Sequence, residues 1–243
     1  MLDLTEYSAL SFDVYGTLID WEAGIAAVLS AWARRHGSEL DDEALLLAYA
    51  DNEAAVEREF PALAYCEVLQ AAFRRTARDL GLPVTDEDVQ ALGRSVPDWP
   101  AFSDTHEALT RLKLRYKLII LSNVHQQGVE GSIARMDVDF DQVHTAERIG
   151  SYKPSPRNFE VLLERLDEVG VERPRLLHVA QSLFHDHVPG KRAGLDTVWI
   201  NRRHARPGWG ATPDPGVDVT PDLEFRSLGE FADAVDAAFA AKS

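Results

Sequence analysis

The amino-acid sequence predicts an α/β protein, a Rossmann-like parallel-sheet core with an inserted helical cap, and two observations carry that prediction. Short apolar runs at 7–12, 117–121, 176–180 and 197–200, with a weaker one near 140–144, alternate with stretches of helical spacing at 104–115, 126–136, 155–168 and 185–193. Alternation of this kind builds a parallel sheet with helices on both faces. The segment 22–95 breaks the pattern. It holds no convincing strand and reads as four helices near 22–36, 41–59, 64–80 and 86–95, punctuated by Gly37, Pro61, Gly81 and Pro83. A helical block between the first and second strands is expected to sit as a cap over the sheet's crevice, where it would exclude water and complete a site. The expected division is a core of 1–18 and 100–243 and a four-helix cap of 19–99, with hinges at 18–21 and 96–103. The loop 201–221, rich in Arg, Gly and Pro, is long enough to carry function.

Composition narrows the partners. The chain has 243 residues, 45% apolar and 27% charged, with a formal net charge of −15. That charge argues against nucleic acid and anionic membrane, since both are polyanions that need basic patches. With Cys66 as the lone cysteine, no internal disulfide can form and a reducing compartment is expected; Cys66 itself reads as a small core residue. Residues 1–6 lack the basic start and apolar stretch of a signal peptide, and no apolar run approaches spanning length, so the expected location is cytoplasmic. A homodimer is left open.

Four polar clusters fall at predicted strand ends. The first is Phe12-Asp13-Val14-Tyr15-Gly16-Thr17-Leu18. Asp13 stands at a strand's carboxyl end, where open α/β sheets place their ligands, and Gly16 lets the chain turn back beneath it. Asp13 reads either as a nucleophile that forms a covalent intermediate or as a cap on the following segment. Ser122-Asn123 follows the second strand and supplies short donors suited to an oxyanion or a carboxylate. Lys153-Pro154 precedes a helix, with Pro154 expected in its first turn; a lysine fixed beside carboxylates keeps them ionised. The last cluster runs from Val179 to His187. In it Asp186 is placed to hold a water or Lys153, and His185 and His187 read as a base or as structural residues.

Taken together, Asp13-x-Tyr15-Gly16-Thr17, Ser122-Asn123, Lys153-Pro154 and Asp186 resemble the haloacid dehalogenase-like hydrolase superfamily over nearly the whole chain. The resemblance implies that Asp13 attacks, that Lys153 stabilises negative charge, and that Asp186 supports the water step. Thr17, Ser122 and Asn123 would bind and orient the substrate. Phosphatases of the superfamily carry a second acid two residues after the nucleophile and an acid opening the fourth motif that helps hold Mg²⁺; here those positions are Tyr15 and Gln181. The Asp-x-Tyr-Gly-Thr form is that of the type II haloacid dehalogenases, which displace halide from carbon without metal. Four positions depart from that branch. The cap arginine falls near Ala50-Asp51, the tyrosine after the motif lysine is Phe159, and the fourth-motif Ser and Asn appear as Gln181 and Leu183.

The runs 15–22, 99–102, 182–187 and 202–204 resemble more closely L-azetidine-2-carboxylate hydrolase and its relatives, which implies a ring amine as an alternative leaving group. On the second helix Leu45, Tyr49, Glu53 and Val56 share one face, so Glu53 interrupts an apolar stripe. It reads either as a cap acid suited to an ammonium-bearing substrate or as an edge residue in water. Trp21, Trp99, Tyr15 and Phe102 would wall a small pocket or pack the cap on the core. The expectation is a hydrolase with no cofactor and no metal, acting on a small 2-substituted carboxylic or amino acid. Asp13, Lys153 and Asp186 are its catalytic residues; Tyr15, Thr17, Ser122, Asn123, Gln181 and Glu53 contact substrate. The rival readings are a Mg²⁺-dependent phosphatase and a catalytically silent small-molecule binder.

Overall fold

The structure, a computed structural model, describes residues 2–60, 63–205, 208 and 212–242. Pro61 and part of the 201–221 loop lie outside the described residues. Six strands are found among the described residues: β1 (Ala9–Phe12), β2 (Lys117–Ser122), β3 (Gln142–Thr145), β4 (Leu176–Ala180), β5 (Asp196–Ile200) and β6 (Leu223–Phe225). They form one parallel sheet in the order β3-β2-β1-β4-β5-β6. β1 and β4 are buried along their whole lengths, as the near-continuous apolar runs of a sheet covered on both faces require. Phe12 lies opposite both Ile120 and Val179, so Asp13, Ser122 and Gln181 emerge at one edge of the sheet. Strand order reverses at β1, and the crevice outside the strand ends at such a switch point is where ligands bind.

Between β1 and β2 stand α1 (Trp21–Arg35), α2 (Asp42–Glu59), α3 (Tyr65–Asp79) and α4 (Asp86–Arg94). Their starts are set locally. The Asp20 side chain accepts from the Ala23 N–H at the head of α1, and Thr85 and Asp88 form a reciprocal capping box on α4. Trp32, Tyr49, Phe73, Val89 and Leu92 are buried between these helices. The two connecting segments bond to each other. Asp20 N–H donates to Pro100 O (2.8 Å), Phe102 N–H to Leu18 O (3.1 Å), and Ile19 bridges Ala101. Trp99 is 1% exposed and lies against Gly24, where a Cβ would sit 2.2 Å from the indole. Only a glycine admits the ring there.

The remaining helices are α5 (Thr105–Lys113), α6 (Gln126–Met136), α7 (Ala146–Ile149), α8 (Pro156–Glu164), α9 (Val188–Arg192) and α10 (Leu228–Ala240). Several local expectations are corrected. Pro154 does not open a helix: α8 starts at Pro156 behind Ser155, and the Lys153–Pro154 peptide is cis in the loop before it. The run expected at 155–168 is α8 followed by a separate 3₁₀ turn, Leu166–Val169. That expected at 185–193 is a π turn, Leu183–His187, leading into α9. Tyr7 precedes β1 and sends its hydroxyl to Asp196 (2.7 Å). Cys66 is half-buried on α3 rather than a core residue.

Candidate active site

Asp13 leaves β1 at the sheet edge, 6% exposed, with its N–H donating to Val179 O (3.2 Å). Gly16, at φ +90°, turns the chain back below it and closes the turn with an N–H to Ile19 O (2.8 Å). A Cβ at Gly16 would stand 3.1 Å from both Gln181 Oε1 and Trp21 Nε1, so the glycine also lets these side chains approach. Each carboxylate oxygen of Asp13 has a partner. Oδ2 accepts from the Thr17 hydroxyl (2.7 Å), and Oδ1 accepts from Lys153 Nζ (2.9 Å). Thr17 Oγ1 in turn accepts from Gln181 N–H (2.9 Å). Thr17 is fully buried and does not line the cavity; it orients the carboxylate instead of touching substrate.

Lys153 is 2% exposed, and its ammonium donates to Asp13 Oδ1, to Leu121 O (2.9 Å) and to Asp186 Oδ1 (2.7 Å). An ammonium has three N–H donors, and all are engaged. Asn123 clips the backbone that carries it: its Oδ1 accepts from Lys153 N–H (2.7 Å) and its Nδ2 donates to Lys153 O (2.9 Å). The Asn123 amide is therefore committed to holding Lys153, not to a substrate. Ser122 is 2% exposed with a partnerless hydroxyl among the described residues, and it does not line the cavity. Asn123 thus lines the cavity with its amide turned to the Lys153 backbone, and Ser122 lies behind the cavity wall.

Asp186 enters from the π turn, fully buried. Its Oδ1 accepts from Lys153 and from His178 Nε2–H (3.0 Å), and the other ring nitrogen of His178 meets Ser11 Oγ (2.8 Å). Asp186 Oδ2 makes no hydrogen bond among the described residues. Burial disfavours the Asp186 charge, but Lys153 and then His178 outweigh it and hold the carboxyl well below its usual range. Asp13 lies above its ordinary value, because burial and then the Asp186 charge exceed what Lys153 and Thr17 recover. The lysine, despite burial, is raised by the two carboxylates and stays charged.

These groups open into a cavity of about 70 Å³ that α2 and α3 roof. Tyr15 lines it with its ring, edge-on to Trp99 (centroids 5.4 Å apart). Ser132 donates to Gly128 O, so the Tyr15 hydroxyl donates to Ser132 Oγ (3.0 Å) and points away from acid duty. Gln181 lines the cavity near Thr212 (3.4 Å). Glu53 also faces it, 8% exposed, with Oε1 accepting from Tyr65 OH (3.0 Å) and Tyr49 OH (3.3 Å). Burial, against those two hydrogen bonds, leaves its carboxyl pushed up to about 7. Glu53 is thus a cavity acid and not an edge residue in water. Trp99 and Phe102 do not line the cavity: Trp99 packs on α1, and Phe102 lies under Arg202 at 4.0 Å.

The sequence reading missed Glu57 and Tyr65, both in the cavity wall. Glu57 lies one helical turn beyond Glu53, and the same face analysis extended by four residues would have found it. His185 lines the cavity, its Nδ1 3.1 Å from Ser182 Oγ, and burial lowers its imidazole to about 4. His187 is buried against Ala180 O (3.0 Å) and is structural.

A fit to Mg²⁺ fails on the donor set. Mg²⁺ needs several oxygen ligands, usually including carboxylates. The core side of the cavity offers Asp13 and Asp186, already bridged by an ammonium, with Tyr15 and Gln181 where further acids would stand. Among the described residues no group of three His, Cys, Asp or Glu is arranged to hold a metal ion. Nor is any described helix long and apolar enough to cross a membrane.

Comparison with known proteins agrees with this geometry. The chain is 26% identical over 236 residues to an (S)-2-haloacid dehalogenase of Pseudomonas fluorescens, covering 91% of this chain and 93% of the relative. It is 25% identical over 240 residues to pyrimidine 5'-nucleotidase PynA of Streptococcus pneumoniae (strain ATCC BAA-255 / R6), covering 95% of each. A solved L-2-haloacid dehalogenase superposes with a TM-score of 0.78 at 24% identity, over 95% of this chain and 99% of the other, and so shares the fold. The family profile described as haloacid dehalogenase-like hydrolase matches residues 7–182, and this chain, an enzyme of the hydrolase class, belongs to that family.

Proposed function

We propose that this hydrolase performs nucleophilic substitution at carbon on a small 2-substituted carboxylic or amino acid, without metal, through an ester on Asp13. The observation that carries this reading is the pairing of a Lys153-held, Thr17-oriented Asp13 with a tyrosine where a leaving-alcohol acid would have to stand. In the first step an Asp13 oxygen bonds to the substrate carbon and the leaving group, halide or ring amine, departs with the electron pair of its bond. In the second step water attacks the ester carbonyl of Asp13, and the alcohol leaves. Lys153 stabilises the oxyanion that forms on that carbonyl, and Asp186 Oδ2, without a hydrogen-bond partner among the described residues, accepts a hydrogen bond from the water.

The test is a panel of L-2-chloropropionate, L-azetidine-2-carboxylate and p-nitrophenyl phosphate, each with and without EDTA. The expected outcome is EDTA-insensitive turnover of at least one of the first two, abolished by Asp13→Asn. Single turnover in water enriched in the heavy oxygen isotope should place label in Asp13. Turnover of the phosphate ester alone, and only with metal, would overturn the reading.

A further inference from the structure

At the centre of β4 stands a buried imidazole that takes no direct part in displacement at carbon. His178 is fully buried, and the other residues of its strand are Leu176, Leu177, Val179 and Ala180. An imidazole in such a strand costs free energy unless its ring nitrogens find partners. Ser11, also fully buried, lies opposite it in register on β1. The Ser11 hydroxyl meets Nδ1 at 2.8 Å, and Phe159 of α8 packs edge-on to the ring, with centroids 5.2 Å apart. The ring is thereby held in one orientation, with Nε2 aimed at Asp186 Oδ1, 3.0 Å away. A carboxylate only accepts, so Nε2 carries the hydrogen. His178 does not line the cavity.

The two carboxylates that share Lys153 are held differently. Among the described residues each has one further side-chain donor, Thr17 on Asp13 and His178 on Asp186. On Asp13 the two donors take separate oxygens. On Asp186 both take Oδ1, and Oδ2 is left bare. A carboxylate that faces an ammonium alone can turn about its Cβ–Cγ bond and offer either oxygen. A second donor on Oδ1, fixed to the sheet, removes that freedom. The constraint matters most once Asp13 is an ester, because Asp13 is then uncharged and Asp186 is the one carboxylate still paired with Lys153.

We propose that His178, backed by Ser11, is a positioning residue that reserves Asp186 Oδ2 for the hydrolytic water and so governs loss of the ester more than its formation. This rests on the displacement by Asp13 proposed above. In the hydrolytic step the water oxygen bonds to Asp13 Cγ while one of its hydrogens faces Asp186 Oδ2. The bond from Cγ to the substrate-bearing oxygen breaks, and its electron pair stays on that oxygen. The departing alcohol takes one water proton, and the other passes to solvent as Asp13 regains its charge. Nothing is oxidised or reduced.

The test follows the two steps separately. His178→Leu keeps the apolar contact with Phe159 and removes both ring nitrogens, whereas His178→Gln restores an N–H donor near the place of Nε2. Single turnovers with L-2-chloropropionate and with L-azetidine-2-carboxylate are quenched at intervals, and ester on Asp13 is read from the mass of the intact protein. In His178→Leu the ester should be lost more slowly, relative to its formation, by roughly tenfold or more, the worth of a hydrogen bond to a charged group, so that it accumulates. His178→Gln should recover most of that loss. Ser11→Ala leaves the ring in place and should slow ester loss by about two- to fivefold, which keeps the test standing if the leucine protein does not fold. Slowing of both steps alike, an unchanged partition between them in Ser11→Ala, or no recovery in His178→Gln overturns the proposal, since a purely structural role predicts these. Heavy-oxygen label entering Asp13 of the parent protein, with no ester accumulating in His178→Leu, sinks the role of His178 alone. Absence of label from the parent with both substrates sinks displacement itself, and the positioning role falls with it.

Discussion

Lys153 and Glu53 show how one buried charge is tolerated and another is not. Lys153 stays ionised because two carboxylates and a backbone carbonyl accept hydrogen bonds from its three N–H groups. Glu53 has only two phenol hydroxyls for company, and its carboxyl rises from 4.5 to about 7 through burial. The sign follows from linkage. A carboxyl raised on folding binds more protons in the native than in the unfolded chain between those two values, so stability falls as pH rises through that interval and stays lower above it. Glu53→Gln keeps an acceptor for Tyr49 and Tyr65 and removes the charge. It should therefore stabilise the protein by up to about 3 kcal/mol at pH 8 and by little at pH 4. Denaturant melts at the two pH values check this, and an equal effect at both would show that Glu53 carries no linked proton.

The elements that meet at the hinge set the position of the cavity's aromatic wall. Trp99 leaves the second connecting segment, donates its indole N–H to Ser95 Oγ (2.9 Å), lies on Gly24 of α1 and backs the ring of Tyr15. Gly24→Ala puts a methyl 2.2 Å from that indole, so the buried ring or α1 must shift. Overpacking of this kind costs about 1–3 kcal/mol, which lowers Tm by about 2–12 °C in a chain of this size. The same displacement reaches Tyr15, so kcat should fall while secondary structure by circular dichroism is unchanged. A Gly24→Ala protein as stable and active as its parent would show that Trp99 has slack.

For the molecule as a whole, Arg203 joins the sheet to the helical block between β1 and β2. From the loop after β5 it reaches Glu22 of α1 (3.3 Å) and Glu43 of α2 (3.1 Å), with its side chain 12% exposed. Its neighbour Arg202 pairs with Asp104 (2.8 Å) and donates to Thr17 O (2.8 Å), which ties the same loop to the turn after Asp13. Arg203→Ala loosens the cap and leaves Asp13, Lys153 and Asp186 untouched. KM should rise several-fold with kcat changed less than twofold, because cap closure contributes to binding before the chemical steps. A steady-state comparison decides it; a loss confined to kcat would place Arg203 in the chemistry instead.

The amino-acid sequence by itself determined the alternation of strands and helices, the four-helix block after the first strand, and the Asp13, Lys153 and Asp186 set. Each of these is written in local periodicity or in residues at strand ends, and neither needs a distant neighbour to be read. β6 escaped notice because its three residues carry too little periodicity, and pairing with β5 makes it a strand. The site's finer chemistry was decided by tertiary structure alone. Whether Glu53 met water or the cavity depended on how α2 turns against α3, which helix phase in one chain does not specify. Asn123 became a backbone clip and Thr17 a carboxylate holder because loops 30 residues apart meet at Lys153 and loops 164 residues apart meet at Gln181. That Lys153 has no donor left for a substrate is a property of three distant acceptors converging on one buried nitrogen, and only folding brings them together.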